Sequence, residues 1–330
     1  MTRKIFRIAI SLGILTFLAL RTDWQQLEQA FSRLRFALWF AALGTYLLVQ
    51  ALSSWRWRVL AKPLGFQGSI LRFARIYFIG MFFNLFFPTS VGGDGIRAWY
   101  LDNGTGRLPK AVVAVLADRV CGLSILLLIA CAGAIAYPYA LPSEIRWIIW
   151  GTAGSLPACL LLFAALSKWF LAPRWLPLGL SNVQKFALVI QSYRRSPGLL
   201  RKSLALSIVV QVGNVLLVWL LGMALCLPIP AVYYCIFVPM VSLLTVIPIS
   251  LNGMGVREAG TALFLQPLGI SGEAAICLAV VWFSVCTVAS MFGGLIYFTG
   301  LYPRPEVEIN HGCIGGDSHQ GRTGQSAAAA

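Results

Sequence analysis

The sequence predicts an all-α polytopic membrane protein, with about six full transmembrane helices plus two re-entrant helical hairpins. Three observations carry this. Of the 330 residues, 58% are apolar and only 11% charged, and the mean hydropathy is +0.79; no soluble domain of this size has that composition. The apolar runs are continuous rather than alternating, which excludes a β-barrel, and in hydrocarbon a continuous span must be helical. An eleven-residue stretch also occurs twice: Pro88 to Ala98 reads PTSVGGDGIRA and Pro248 to Glu258 reads PISLNGMGVRE. At an offset of 160, five positions are identical: Pro88/Pro248, Ser90/Ser250, Gly93/Gly253, Gly95/Gly255 and Arg97/Arg257.

The net charge of +15 fits a positive-inside bias and contact with anionic headgroups. No zinc finger, aromatic-basic platform or basic helix outside the membrane points to nucleic acid. The eight cysteines form no C-x-x-C pair and read as small buried apolar residues. Both histidines, His311 and His319, lie in the C-terminal tail. The membrane body therefore lacks the usual general base and metal ligand. No metal, cofactor or catalytic residue is predicted.

Eight hydrophobic segments follow in order. Arg3, Lys4 and Arg7 precede Ile8 to Leu20, read as an uncleaved first span with a cytoplasmic N-terminus. Trp24, Leu27, Phe31 and Leu34 share one helical face, and Thr22 with Gln25 forms a capping box; this stretch is an outer interfacial helix. Phe36 to Ser54 spans, and the basic stretch from Arg56 through Arg58, Lys62 and Arg72 to Arg75 reads as cytoplasmic. Ile76 to Pro88 leads into the first motif, and Arg97 to Lys110 reads as a polar connection. Ala111 to Tyr137 and Trp147 to Leu166 span. Residues 168–202 hold seven basic residues and no acid; Val183, Phe186, Ala187, Ile190 and Tyr193 give this loop an amphipathic helix. Ser203 to Leu225 spans, Val232 to Ile247 leads into the second motif, and Ala274 to Leu301 spans. Residues 1–302 thus form one membrane domain, and the Gly-, Ser- and Ala-rich residues 303–330 form a disordered tail.

Loop charge fixes the topology. The basic segments 56–75 and 168–202 must share the cytoplasmic side, so only two of the three apolar runs between them can cross. The run ending in Pro-x-Ser-x-Gly-Gly-x-Gly is the one that turns back, because Pro stops a helix and Gly lets the chain reverse. By the same logic the second motif re-enters from the outer face. The result is an inverted internal repeat, centred on 76–137 and 231–301, with both termini cytoplasmic.

Gly/Pro-interrupted segments in corresponding places of two halves point to a transporter's midplane site. Ser90, Gly92, Gly93, Asp94 and Arg97, with Ser250, Asn252, Gly253, Gly255, Arg257 and Glu258, present amides, hydroxyls and guanidinium forks suited to phosphate. Asp94 and Glu258 either pair with their arginines or carry a coupling proton. Asp118 and Arg119 are adjacent and point about 100° apart on a helix, so one of them is expected to reach the motif. Asn84 is a less specific polar candidate, and Glu273 reads as an acid at a helix N-terminus.

At these residues the chain resembles the flippase-like family, the membrane region of lysylphosphatidylglycerol synthases and its stand-alone relatives. The resemblance rests on P-x-x-x-G-G-D-x-x-R in the first half and P-x-S-x-[NG]-G-x-G-x-R-E in the second, and spans about residues 1–302. It implies movement of a membrane lipid with an anionic or phosphate head between the leaflets of a bacterial-type inner membrane. The aminoacyl-transfer activity of bifunctional members is expected to be absent, since little chain follows Pro303. The other class left open is an integral-membrane transferase, or an accessory subunit, acting on a lipid carrier; Asp94, Asp118 and Glu258 would then supply acid–base or metal chemistry. A homodimer or a pathway enzyme are the partners admitted, and nucleic acid is not.

Overall fold

The computed structural model describes residue 32 and residues 34–87, 92–155, 197–246 and 253–300. The first predicted span, the outer interfacial helix as far as Phe31, the basic loop to residue 196, the tail, and Ser90, Ser250 and Asn252 lie outside the described residues.

Nine helices are described: α1 (Phe36–Ala61), α2 (Ile70–Phe86), α3 (Gly92–Asp102), α4 (Leu108–Ala136), α5 (143–155), α6 (Pro197–Ala224), α7 (Ala231–Val246), α8 (Val256–Leu265) and α9 (Gly272–Phe298). Four of them, α1, α4, α6 and α9, are long and apolar enough to cross a membrane. At ~1.5 Å per residue each exceeds the ~30 Å hydrocarbon layer. They coincide with four of the predicted spans. The described helices α2, α3, α7 and α8 have 17, 11, 16 and 10 residues, which at that rise are too short to cross. A long–short–short–long order thus occurs twice, each helix roughly 160 residues after its counterpart.

Four boundaries differ most from expectation. α1 runs on to Ala61, seven residues past Ser54, so Arg56 and Arg58 lie within it rather than in a loop. α2 begins at Ile70 rather than Ile76, because Ser69 caps it, accepting a hydrogen bond from the Arg72 amide at 3.2 Å. Arg97 to Lys110 is not a plain connection: its first half continues α3, whose Ala98, Tyr100 and Leu101 are buried. α6 starts at Pro197 rather than Ser203, since proline is tolerated in a first helical turn. The other stops read directly from sequence. Pro-Leu-Gly follows α1 at Pro63–Gly65 and α8 at Pro267–Gly269 as a single 3-10 turn, and Ser271 caps α9 through the Ala274 amide.

α1 and α6 run antiparallel along each other. The start of α1 meets the end of α6 (Arg35 N to Ala224 O, 3.0 Å), Gly213 faces Val49, and Arg56 reaches Ser207. The short helices pack crosswise, α2 against α9 and α7 against α4. Small residues permit both approaches: a Cβ on Gly133 would lie 2.9 Å from Cβ of Cys235 on α7, and one on Gly293 would strike the Phe78 carbonyl on α2. Gly133 and Gly293 also stand 160 apart, as close-packing small residues do in membrane helices. One apolar core gathers Leu221, Tyr234, Phe237 and Phe264, and the other Trp57, Phe73, Ile76 and Tyr100. Phe40, Leu128, Ile135 and Leu295 stay exposed, on surfaces suited to lipid tails.

Gly293→Ala should destabilise the protein by about 1–3 kcal/mol, the cost of overpacking. Gly154→Ala, at a helical position with open space around it, should not lower stability. Thermal melts of the two variants in detergent check this; equal loss in both would contradict the close approach of α9 to α2.

Candidate functional site

The first motif builds a chain of alternating charge. On α1, Val49, Ser53, Arg56 and Leu60 fall on one buried helical face, which carries Arg56 inward instead of into the loop where charge counting placed it. Arg56 Nε donates to Asp118 Oδ1 at 2.8 Å, and its Nη1 donates to Ser207 Oγ at 3.1 Å. The other oxygen of Asp118 accepts from Arg97 Nη2 at 3.1 Å. Arg97 Nη1 reaches Asp94 Oδ1 at 3.2 Å. Asp94 also accepts a forked pair from Arg119, Nε at 2.7 Å and Nη2 at 3.1 Å. The Arg97 guanidinium lies 4.3 Å from the Trp57 ring centroid and 4.2 Å from that of Tyr77. Buried charge persists only when paired and hydrogen-bonded, and ring faces add attraction for a cation. The adjacent Asp118 and Arg119 both reach α3, on different partners.

Gly93 has a packing role here. A Cβ at this position would run into the Gly80 carbonyl, and its amide donates to Asn84 Oδ1 at 2.7 Å. Gly92 and Gly95 belong to the same first turn of α3, which carries Asp94 at a helix N-terminus.

The second motif uses the shared residues differently. Gly253 and Gly255 have φ of +77° and +81°, a region that favours glycine, and they turn the chain into α8. The Glu258 carboxylate accepts from the Gly255 amide at 2.6 Å; it caps the helix rather than pairing with Arg257. Counting 160 residues on from Asp94 and Asp118 gives Met254 and Leu278. Among the described residues Arg257 accordingly meets no carboxylate. Its Nη1 is buried without a hydrogen-bond acceptor, and the guanidinium sits 5.1 Å from the Phe283 ring centroid and 5.4 Å from that of Trp282.

Arg257 of the second motif faces a cavity of about 290 Å³ that is lined from both halves, and no described residue of the first motif lines it. Its charged wall is Arg56, Arg119 and Arg257 against Asp118. Arg97 and Asp94 stand behind that wall and neutralise each other. Among the described residues the cavity wall therefore carries an excess of two positive charges, which suits an anion. Its neutral polar wall includes Gln50, Asn84, Gln211 and Asn214. Of these only Asn84 was singled out from sequence. Gln50, Gln211 and Arg56 were legible as polar residues falling on the buried faces of α1 and α6. Glu273 lies in the first turn of α9, remote from this wall. Among the described residues no three His, Cys, Asp or Glu side chains gather as a metal site requires.

The chain matches the family described as Lysylphosphatidylglycerol synthase TM region over residues 4–294, and it belongs to that family. No curated protein and no solved structure matches it significantly.

Asp118→Leu, which puts into the first half the residue found at the corresponding place in the second, should cost about 3–5 kcal/mol by leaving two buried guanidiniums without their shared acid. Glu258→Gln should cost no more than about 1–2 kcal/mol, because an amide oxygen can still accept from the Gly255 amide. Melting temperatures of the purified variants check the ranking; the reverse order would contradict the assigned roles.

Proposed function

We propose that this protein translocates a membrane lipid with an anionic or phosphate head between leaflets. The observation that carries the reading is Arg257, a cavity-lining guanidinium with no carboxylate among the described residues. A cation at membrane depth without an acid is costly, and an anionic head in the cavity would relieve that cost. The excess of two positive charges favours phosphate over a zwitterionic or cationic head.

The mechanism we infer is alternating access across an inverted repeat. The twice-occurring helix order, the antiparallel α1 and α6, and the reciprocal packing of α2 on α9 and α7 on α4 support this reading. Helices too short to cross belong to re-entrant hairpins, one per leaflet. The head occupies the cavity while the tails remain in hydrocarbon. Rocking of one half against the other then changes which leaflet the head can reach. The membrane is the bacterial cell membrane, with both termini in the cytoplasm.

Purified protein in liposomes should move a fluorescent phosphatidylglycerol between leaflets. Arg257→Gln should slow that transfer at least about tenfold, the effect of losing a charged contact of ~1.5 kcal/mol or more. Met254→Asp, which offers Arg257 a carboxylate three residues before it, should slow transfer comparably by occupying the guanidinium. Wild-type rates in both variants, or no transfer by the unmodified protein, would overturn the proposal.

A further inference from the structure

The two pairs of short helices are held in place by different means. In the first pair, α3 is tied to α4 by the Arg97–Asp118 and Arg119–Asp94 ion pairs, and Arg97 also lies over Trp57 of α1. The end of α2 is joined to α3 through Asn84, which accepts from the Gly93 amide at 2.7 Å. The second pair lacks these ties. The residue 160 after Asn84 is Leu244, which has nothing to accept with. Tyr233 Oη donates to the Phe264 carbonyl, inside the pair itself. Ser242, Thr245 and Thr261 each donate to a carbonyl of their own helix. Among the described residues no side-chain hydrogen bond or ion pair joins α7 or α8 to a long helix. The Arg257 guanidinium over the rings of Trp282 and Phe283 is the polar group that touches α9.

α7 also contains a break that α2 lacks. Pro239 stands in its middle, where α2 has Ile79. Proline has no amide to give the Cys235 carbonyl, and its ring crowds that oxygen, so a helix bends at such a point. Burial changes at the same place. Before Pro239, the side chains of Tyr233, Tyr234, Ile236 and Phe237 are sunk in the core, and the bare faces of Gly133 and Gly222 receive Cys235 and Tyr234. Beyond Val241, residues 242–246 are only half-buried, and Ser242, Thr245 and Val246 line the cavity. Ser242 Oγ donates to the Val238 carbonyl at 2.7 Å and Thr245 Oγ1 to the Ser242 carbonyl at 2.8 Å. Hydroxyls that bond back onto the preceding turn favour bending. They also leave this wall satisfied within its own helix, so it can swing without breaking a hydrogen bond to another element.

Resting on the alternating-access reading above, we propose that the part of α7 beyond Pro239 is the moving wall of the cavity, pivoting on that proline, while the ion-paired α3 and the end of α2 form the fixed wall. The rocking is then unequal between the halves. α8 packs on the moving segment, where Gly260 faces Val241 and Leu244, so Arg257 is carried with it. A carboxylate bridging Arg257 to a long helix, as Asp118 bridges Arg97, would hold that movement back.

Hydrogen–deuterium exchange of the whole chain in nanodiscs tests this, because residues 80–86 of α2 and 240–246 of α7 are counterparts that both reach the same cavity. Amides of 240–246 should exchange at least about tenfold faster than those of 80–86, the scale of one backbone hydrogen bond lost from a local opening unit. Pro239→Ala, which returns the missing amide to the helix, should slow exchange at 240–246 at least about threefold, leave 80–86 unchanged, and slow lipid transfer in liposomes. Equal exchange in the two segments of the unmodified protein overturns the proposal without any variant. Unchanged exchange at 240–246 in a Pro239→Ala protein that melts no lower than the original removes the pivot. Slowed exchange with an unchanged transfer rate overturns its part in transport. No lipid transfer by the unmodified protein, with the tenfold asymmetry present, overturns the translocation reading and leaves the moving segment of α7 standing.

Discussion

A charge inside a membrane protein must be neutralised by something, and how each motif arginine meets that demand organises this structure. Arg97 meets it within the chain. Asp94 and Asp118 flank it, the rings of Trp57 and Tyr77 cover it, and Arg56 and Arg119 complete the row at its two ends. The row ties α1, α3 and α4 together by charge. Arg257 has two rings and no acid among the described residues. One motif arginine is neutralised within the chain, and the other is not, among the described residues.

The two motifs differ in their charged neighbours. Where the first half has Asp94, Asp118 and Arg56, the corresponding positions of the second have Met254, Leu278 and Leu216. The arginine and the glycines remain, but the glycines changed use: Gly93 admits the backbone of α2, whereas Gly253 turns the chain. A recurring helix order with unequal charge surrounds one cavity lined from both halves.

Much of this was legible in the sequence, for identifiable reasons. Continuous apolar runs located the four long helices to within a few residues at most ends, because length and hydropathy alone decide them. Helical geometry led to the expectation that one of Asp118 and Arg119 reaches the motif; both do, on different partners. Arg56 was misread because loop charge was counted without following the helical face through Val49 and Ser53. Gln50, Gln211 and Asn214 carry no motif, and only three-dimensional packing brings them to one wall. Glu258 looked like an ion-pair partner by proximity to Arg257, yet three-residue spacing to Gly255 makes it a helix cap.

The central claim is that Arg257, and not Arg97, is the motif arginine that meets the cargo. It is tested most directly by an experimental structure of the protein in nanodiscs containing phosphatidylglycerol. Phosphate density within hydrogen-bonding distance of the Arg257 guanidinium, with Arg97 still paired to Asp94 and Asp118, is the predicted result. Phosphate bound at Arg97 with those pairs opened, or Arg257 paired to a carboxylate of the chain, would contradict it.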